Sequence, residues 1–215
     1  MTVHKKNMTV NTAIIYNLRL VCASLASSAL ALMIAACGGP DLSKYDHLKT
    51  PQISQKASMQ MLVTEITGDP NETTGAAFGV LYGAYYSIDG ASVEEPWPRS
   101  RWSRSILTES TPMSEWRGVF AVPVADSLTE IPPEYAKADP AIRLETWDYG
   151  TVAEILHIGS YEDMTATTEK IEAHIEAQGY RITGMHEEEY LKGPGMIFEG
   201  DPNEYITILR YEVAK

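Results

Sequence analysis

Residues 151–179, TVAEILHIGSYEDMTATTEKIEAHIEAQG, decide the fold because a strand pattern and a helix pattern meet in them. Thr151 to Ile158 is rich in β-branched and apolar residues, which predicts a strand in a hairpin with Arg143 to Trp147. A helix then begins within 160–163 and ends at Gly179. One face of this helix carries residues spaced three to four apart, Met164, Thr168, Ile171 and Ile175. The stretch therefore predicts a strand followed by a helix that packs on a sheet.

The first part of the chain repeats this plan. Met61 to Ile66 has the composition of a strand, and Gly68 to Asn71 supplies an Asp and a Pro suited to the start of a helix. The helix face that follows comprises Phe78, Leu81, Tyr82 and Tyr85. We therefore expect an α+β fold of two pseudo-symmetric halves, about 59–130 and 141–215. Its antiparallel sheet should carry helices on one face, with a ligand cleft between the halves.

The N-terminal segment has the pattern of a secretory signal. An apolar run from Leu20 to Ile34 follows a basic start, and small residues precede Cys37. The sequence Ile-Ala-Ala-Cys resembles a bacterial lipoprotein signal, which implies a signal peptide at 1–36 and acylation of Cys37. An uncleaved anchor or a buried helix is the alternative. We expect 37–58 to be a tether and 59–215 to be the folded domain.

Gly38, directly after the acylated cysteine, resembles the signal for the outer membrane of a Gram-negative host. The expected location is therefore the cell envelope, facing the periplasm. The formal net charge of −12 and the lack of a Lys/Arg cluster argue against a nucleic-acid partner. Of the two cysteines, Cys22 lies inside the signal, so no disulfide is expected. No metal-ligand spacing or cofactor motif occurs, so we expect neither a metal nor a cofactor.

Four segments together resemble the GyrI-like small-molecule-binding family. They are Gly68 to Asn71 with the helix after it, Val152 to Asp163, His186 to Leu191 and Thr207 to Arg210. The resemblance implies two halves of the kind also seen in SOUL proteins, with a pocket for amphipathic or aromatic compounds. One branch is linked to hydrolysis of cyclopropane-bearing toxins by a pocket Glu, which matches Glu188 here. Ser160, Ile208 and the pair Tyr211-Glu212 depart from the family pattern.

Glu188 is the main candidate site residue. Alternation along a strand puts Glu188 and Tyr190 on one face and directs Glu187 and Glu189 the other way. Glu188 would then act as a general base or pair with a ligand amine, with Tyr190 beside it. The alternative is that Glu187, Glu188 and Glu189 form a solvent-exposed acidic surface without a role in a site. Aromatic residues expected to contact the ligand are Tyr82, Tyr85, Trp97, Trp102 and Trp147.

Three functions follow from these patterns. The first is a membrane-anchored lipoprotein whose domain binds a small hydrophobic or aromatic compound between its halves. The second is a hydrolase of strained electrophiles with Glu188 as general base and Tyr190 as its neighbour. The third is a structural envelope lipoprotein whose cleft has closed.

Overall fold

A single antiparallel sheet forms the centre of the fold. The computed structural model describes residues 43–103, 111–194 and 200–215. The strands are β1 (Gln52–Lys56), β2 (Met59–Thr67), β3 (Arg99–Trp102), β4 (Arg117–Pro123), β5 (Arg143–Trp147), β6 (Gly150–Ile158), β7 (Arg181–Ile182), β8 (His186–Lys192) and β9 (Ile206–Ala214). The α-helices are α1 (Pro70–Ser87), α2 (Pro133–Ala136) and α3 (Met164–Ala177). Short 3₁₀ helices span Ser43–Lys49, Met113–Glu115, Tyr161–Asp163 and Pro202–Glu204.

The strand order shows the two-half plan. It runs β1-β6-β9-β8-β3-β4-β2-β5, with β7 paired to the end of β9, and every pair is antiparallel. Read outward from the central β3–β8 pair, the sides match: β4 with β9, β2 with β6 and β5 with β1. A helix follows β2 in one half and β6 in the other. The predicted α+β fold of two similar halves is therefore confirmed.

The outermost strands are exchanged between the halves. β1 precedes β2 in the chain but pairs with β6, and β5 precedes β6 but pairs with β2. The predicted hairpin of β5 and β6 is therefore wrong. Both edge strands are short and partly polar, so their own sequences do not indicate which strand they join.

The tether prediction needs correction for 43–58. Ser43–Lys49 forms a 3₁₀ helix whose Leu48 is buried against Leu191 and Ile208, and β1 extends the sheet. A run of polar residues concealed this because an edge strand is half solvated. The signal peptide at 1–36 and Cys37 lie outside the described residues. Across 43–103, 111–194 and 200–215, no helix is long and apolar enough to cross a bilayer.

Both long helices cover the same face of the sheet. On α1, Leu81 and Ala84 pack against Leu62, Phe120 and Val122. On α3, the residues Ile171 and Ile175 pack against Ile155 and Leu209. The side chain of Asp69 caps α1 by accepting from Asn71 N, and Pro70 opens its first turn. The 3.6-residue spacing read from the sequence thus gave the correct buried face of each helix.

The other face of the sheet is the inside of a curled half-barrel. Met61 of β2 belongs to the same apolar cluster as Val152 of β6, although five strand positions separate them in the sheet. Residues so far apart meet because the sheet curves around them. We call this side the inner face and the opposite side the helix face.

Alternating charges cross the inner face from strand to strand. Glu154, Arg210, Glu187 and Arg101 are successive partners on β6, β9, β8 and β3. Arg210 Nε lies 2.7 Å from Glu154 and Arg101 Nε lies 2.8 Å from Glu187, while Arg210 also pairs with Glu187. Such opposite charges on neighbouring strands attract each other strongly in a desolvated interior.

A second row of charges continues this network. Glu189 accepts from Arg99 at 2.9 Å and from Arg210 at 2.7 Å. Burial by itself raises the pKa of Glu189, but the positive charges of Arg99 and Arg210 outweigh it and hold the pKa well below its usual range. The pKa of Glu187 is lowered by its arginine neighbours in the same way. Glu187 and Glu189 lie on the opposite face of the strand from Glu188, as predicted. That face is buried inside the protein and not exposed to solvent.

Candidate functional site

Glu188 lies at the middle of the helix face. Strand register places Ile155, Leu209, Glu188, Ser100 and Phe120 in one row across β6, β9, β8, β3 and β4. The helix α1 covers one end of this row and α3 covers the other. The strip above β3 and β8, between the helices, is named here the central groove. Glu188 is on its floor, where the two halves of the fold join.

A chain of hydrogen bonds ends at the Glu188 carboxylate. Trp102 Nε1 donates to Ser100 Oγ at 2.8 Å, and Ser100 Oγ lies 2.7 Å from Tyr190 Oη. Tyr190 Oη donates to Glu188 Oε2 at 2.6 Å. Tyr190 donates its proton to the carboxylate, so Ser100 must donate to Tyr190. Each proton in this series of hydrogen bonds therefore points toward Glu188. Bonds aligned in this way reinforce one another.

His186 holds the other oxygen of Glu188. Its Nε2 lies 3.2 Å from Glu188 Oε1, and its Nδ1 lies 2.7 Å from Tyr211 Oη. An ionised carboxylate has no proton to give, so Nε2 carries the ring proton toward Glu188. In the neutral ring, Nδ1 then accepts from Tyr211. The carboxylate is therefore oriented from both sides, with 14% of the side chain exposed.

Aromatic rings from both halves frame this carboxylate. The centroid of the Tyr190 ring lies 5.8 Å from that of Phe78 on α1 and 5.8 Å from that of Tyr161, just before α3. Both contacts are edge-on, the favoured arrangement for aromatic pairs. Burial, and then the negative charge of Glu188, raise the pKa of Tyr161 and of Tyr190. Both phenols therefore stay protonated at neutral pH and can donate hydrogen bonds.

The side chains of the central groove suit, by their chemistry, a ligand with an apolar or aromatic body and a cationic or proton-donating group. The rings of Phe78 and Tyr161 supply flat apolar walls, and Glu188 supplies a fixed negative charge. Oxygen atoms that each accept one hydrogen bond retain a further lone pair for the ligand. Within the described parts of the chain, no group of three or more His, Cys, Asp or Glu side chains could hold a metal ion.

The structure brings three of the predicted site residues together. Glu188 and Tyr190 share the groove, and Trp102 reaches Tyr190 through Ser100. Trp102 itself is core, with 5% of its surface exposed. Its ring packs edge-on against Phe120.

The other predicted aromatic residues lie elsewhere. Tyr82 Oη donates to Pro96 O at 2.7 Å, and Tyr85 Oη accepts from Val93 N at 2.9 Å, so both anchor the segment after α1. Trp97 lines a cavity on the inner face.

Trp147 also lies on the inner face, where it is 2% exposed. The Arg101 guanidinium stacks on its ring, 3.7 Å from the centroid. Its predicted contact with a ligand beside Glu188 is therefore wrong, because alternation on β5 directs it to the opposite side of the sheet.

Sequence reasoning missed Tyr161, Ser100 and Phe78 as groove residues. Tyr161 belongs to the segment 152–163 that carried the family resemblance, so that signal could have identified it. Ser100 has no distinguishing pattern, because its role depends on β3 lying beside β8.

Solved structures share this architecture over most of the chain. A hydrolase from Listeria innocua is 20% identical, with a TM-score of 0.67, over 82% of this chain and 100% of its own. An uncharacterized conserved protein from Listeria innocua is 22% identical, with a TM-score of 0.67, over 80% of this chain and 98% of its own. The C-terminal domain of EcmrR is 14% identical, with a TM-score of 0.58, over 77% of this chain and 98% of its own.

The likeness establishes the fold. At 14–22% identity a shared fold does not establish a shared function, which depends on the residues of the site. No protein-family model matches the chain, and no curated protein matches it. The two-half architecture implied by the GyrI-like resemblance is nevertheless the one observed.

Proposed function

We propose that this domain binds a small molecule with an aromatic or hydrophobic body and a cationic or proton-donating group in the central groove. The observation that carries the proposal is the Glu188 carboxylate, fixed by Tyr190 and His186 and framed by rings from both halves. A charge fixed in advance costs little reorganisation when a ligand binds. Aromatic faces beside it favour a cationic ligand further.

Tryptophan signals offer a direct test of binding. Trp102 is linked to Tyr190 through Ser100, so a ligand over Glu188 should shift the Trp102 indole NMR signal. The purified protein would be titrated with hydrophobic aromatic cations and with neutral compounds of the same shape.

We expect Glu188→Gln to weaken cation binding about tenfold or more, since a hydrogen-bonded charge pair is worth about 1.5–3 kcal/mol. Glu169→Gln, at an exposed position on α3, is the matched control and should bind as the wild type does. Equal binding of cations and neutral analogues would contradict the role of Glu188. No binding of any compound would favour the structural lipoprotein with a closed cleft.

A hydrolase of strained electrophiles is the second candidate. It is favoured by the aligned hydrogen bonds at Glu188 and by the shared fold of a Listeria innocua protein described as a hydrolase. Glu188 would take a proton from a water molecule whose oxygen attacks a ring carbon. The ring carbon–carbon bond would break, and its electron pair would pass to the departing carbon, which Glu188 then protonates.

Product analysis separates the two candidates. The protein would be incubated with an electrophilic cyclopropane compound, and the ring-opened product measured by mass spectrometry. A true hydrolase should lose product formation in Glu188→Gln while retaining its circular dichroism spectrum. Turnover that survives the substitution would remove the catalytic proposal and leave binding alone.

We also propose that the chain is held on a membrane through acylated Cys37, on the outer membrane in a Gram-negative host. Its support is the sequence pattern from Leu20 to Gly38. Metabolic labelling with a fatty acid and cell fractionation would test it, with Cys37→Ser as the variant. Loss of label and release from the membrane fraction are expected, whereas an unchanged distribution would contradict lipid anchoring.

A further inference from the structure

A cavity of about 570 Å³ opens on the inner face, on the opposite side of the sheet from Glu188. Its floor includes Lys56, Arg99, Glu189 and Arg210, whose side chains alternate away from the helix face. Cavities of this volume hold ligands of up to drug size. Because the sheet lies between, a molecule in this cavity cannot touch Glu188.

The apolar part of the cavity wall comes from four parts of the chain. Tyr45 and Leu48 belong to the 3₁₀ helix before β1, Met59 begins β2, and Trp97 precedes β3. Ile208 of β9 adds an aliphatic surface. A ligand that fits here therefore has an apolar or aromatic body.

Lys56 contributes a positive charge with no matching acid. Its ammonium lies 5.4 Å from the centroid of the Tyr149 ring, and among the described residues it forms no ion pair. Glu189 and Glu154 nearby are instead paired with Arg99 and Arg210. Burial, and then the charge of Arg210, lower the pKa of Lys56, as expected for a cation that lacks a partner.

Two further donors that line the cavity have no acceptor among the described residues. Trp97 Nε1 and Arg99 Nε are buried without a hydrogen-bond partner in the described part of the chain. The Arg99 residue is 3% exposed, although its terminal nitrogens bond to Glu189 and Tyr149. Buried donors are nearly always satisfied in folded proteins, so a pair of them beside an open cavity indicates an acceptor that enters it.

The unmet groups are all of one kind: an ammonium, an indole N–H and a guanidinium N–H. They call for a ligand with acceptor oxygens and one negative charge. Exposed Glu94 and Asp126 at the rim disfavour ligands with several negative charges. We infer that the inner face holds a second, separate binding site for a small monocarboxylate with an apolar or aromatic body.

Benzoate and its neutral isostere benzamide are suitable probes for the purified full chain. Isothermal titration calorimetry should show binding of benzoate and much weaker binding of benzamide. The four tryptophans give separate indole signals in a ¹H–¹⁵N spectrum, and the Trp97 signal is the one absent from Trp97→Phe. Benzoate should shift the Trp97 signal and leave that of Trp102, on the helix face, in place.

Lys56→Gln should weaken benzoate binding about tenfold, as expected for loss of one charged hydrogen bond. Lys170→Gln, an exposed lysine on α3, is the matched control and should not change it. Equal affinity for benzoate and benzamide, a shift of Trp102 in place of Trp97, or wild-type affinity in Lys56→Gln would each overturn the inference.

If Lys56→Gln fails to fold, Trp97→Phe keeps the ring, removes the donor and should weaken benzoate binding severalfold. Unchanged affinity in that variant would also count against the site. Binding in the central groove is measured separately through the Trp102 indole signal, so the failure of one proposal does not affect the other.

Discussion

Replacing Arg210 by Met tests the inner-face charge network. Arg210 is 1% exposed and pairs with Glu154, Glu187 and Glu189. Met has no charge, so Glu189 would keep Arg99 and Glu187 would keep Arg101, whereas Glu154 would lose the guanidinium it pairs with. Removing one partner from a buried ionic cluster leaves an uncompensated charge and costs about 3–5 kcal/mol. That is a large part of the 5–15 kcal/mol that holds a typical domain together.

Arg143→Met is the matched control. Arg143 pairs with Glu65 and Glu145 at the surface, where its side chain is 45% exposed. Solvent screens such pairs, so its loss should cost about 1 kcal/mol or less. The assay is urea unfolding at pH 7, followed by circular dichroism. Equal small losses in Arg210→Met and Arg143→Met would refute the description of a buried network.

Three further outcomes are expected. Glu187 and Glu189 have lowered pKa values in the folded state, so their contribution to stability is fully present above the unfolded pKa of about 4.3 and is lost as the pH falls below it. The urea midpoint of unfolding should therefore drop between pH 5 and pH 3. A midpoint that does not change with pH would contradict this. Asp69→Ala removes the cap of α1 and should cost about 1 kcal/mol in the same assay, whereas Asp69→Asn should cost less. Tyr190→Phe removes the donor to Glu188 and should cost about 1–2 kcal/mol while shifting the Trp102 indole signal; an unmoved signal would argue against the hydrogen-bonded chain.

Local periodicity explains which parts of the fold could be predicted. The buried faces of α1 and α3 follow from residues three and four apart, such as Leu81 with Tyr85 and Ile171 with Ile175. Strand alternation correctly placed Glu188 with Tyr190, on the opposite side from Glu187. Each of these conclusions needs only neighbours within one element of secondary structure.

Strand partners could not be predicted in this way. The polar strand β1 pairs with β6, about 100 residues later, and β5 passes over its neighbour β6 to pair with β2. Edge strands accept several partners because backbone hydrogen bonds are the same for every sequence. The 3₁₀ helix Ser43–Lys49 was missed for a related reason, since its single buried residue, Leu48, finds Leu191 and Ile208 only in the folded chain.

The candidate site, too, could be predicted from the sequence only in part. The sequence drew attention to Glu188 through a motif, but the hydrogen bonds that orient it come from Ser100 through Tyr190 and from His186. Trp147 and Trp97 belong to the inner face, although composition alone made them equivalent to Trp102. Aromatic content thus indicated a ligand site without showing that the sheet has two different faces.

By itself, the sequence determined two strand–helix units and which side chains within one element share a face, because a helix repeats every 3.6 residues and a strand every two. Tertiary structure alone decided that Glu187 and Glu189 are buried beside arginines and that Glu188 lies between two helices. Those environments are made by strands that meet from distant parts of the chain. A charge becomes buried, paired or available to a ligand only when such neighbours exclude water from it.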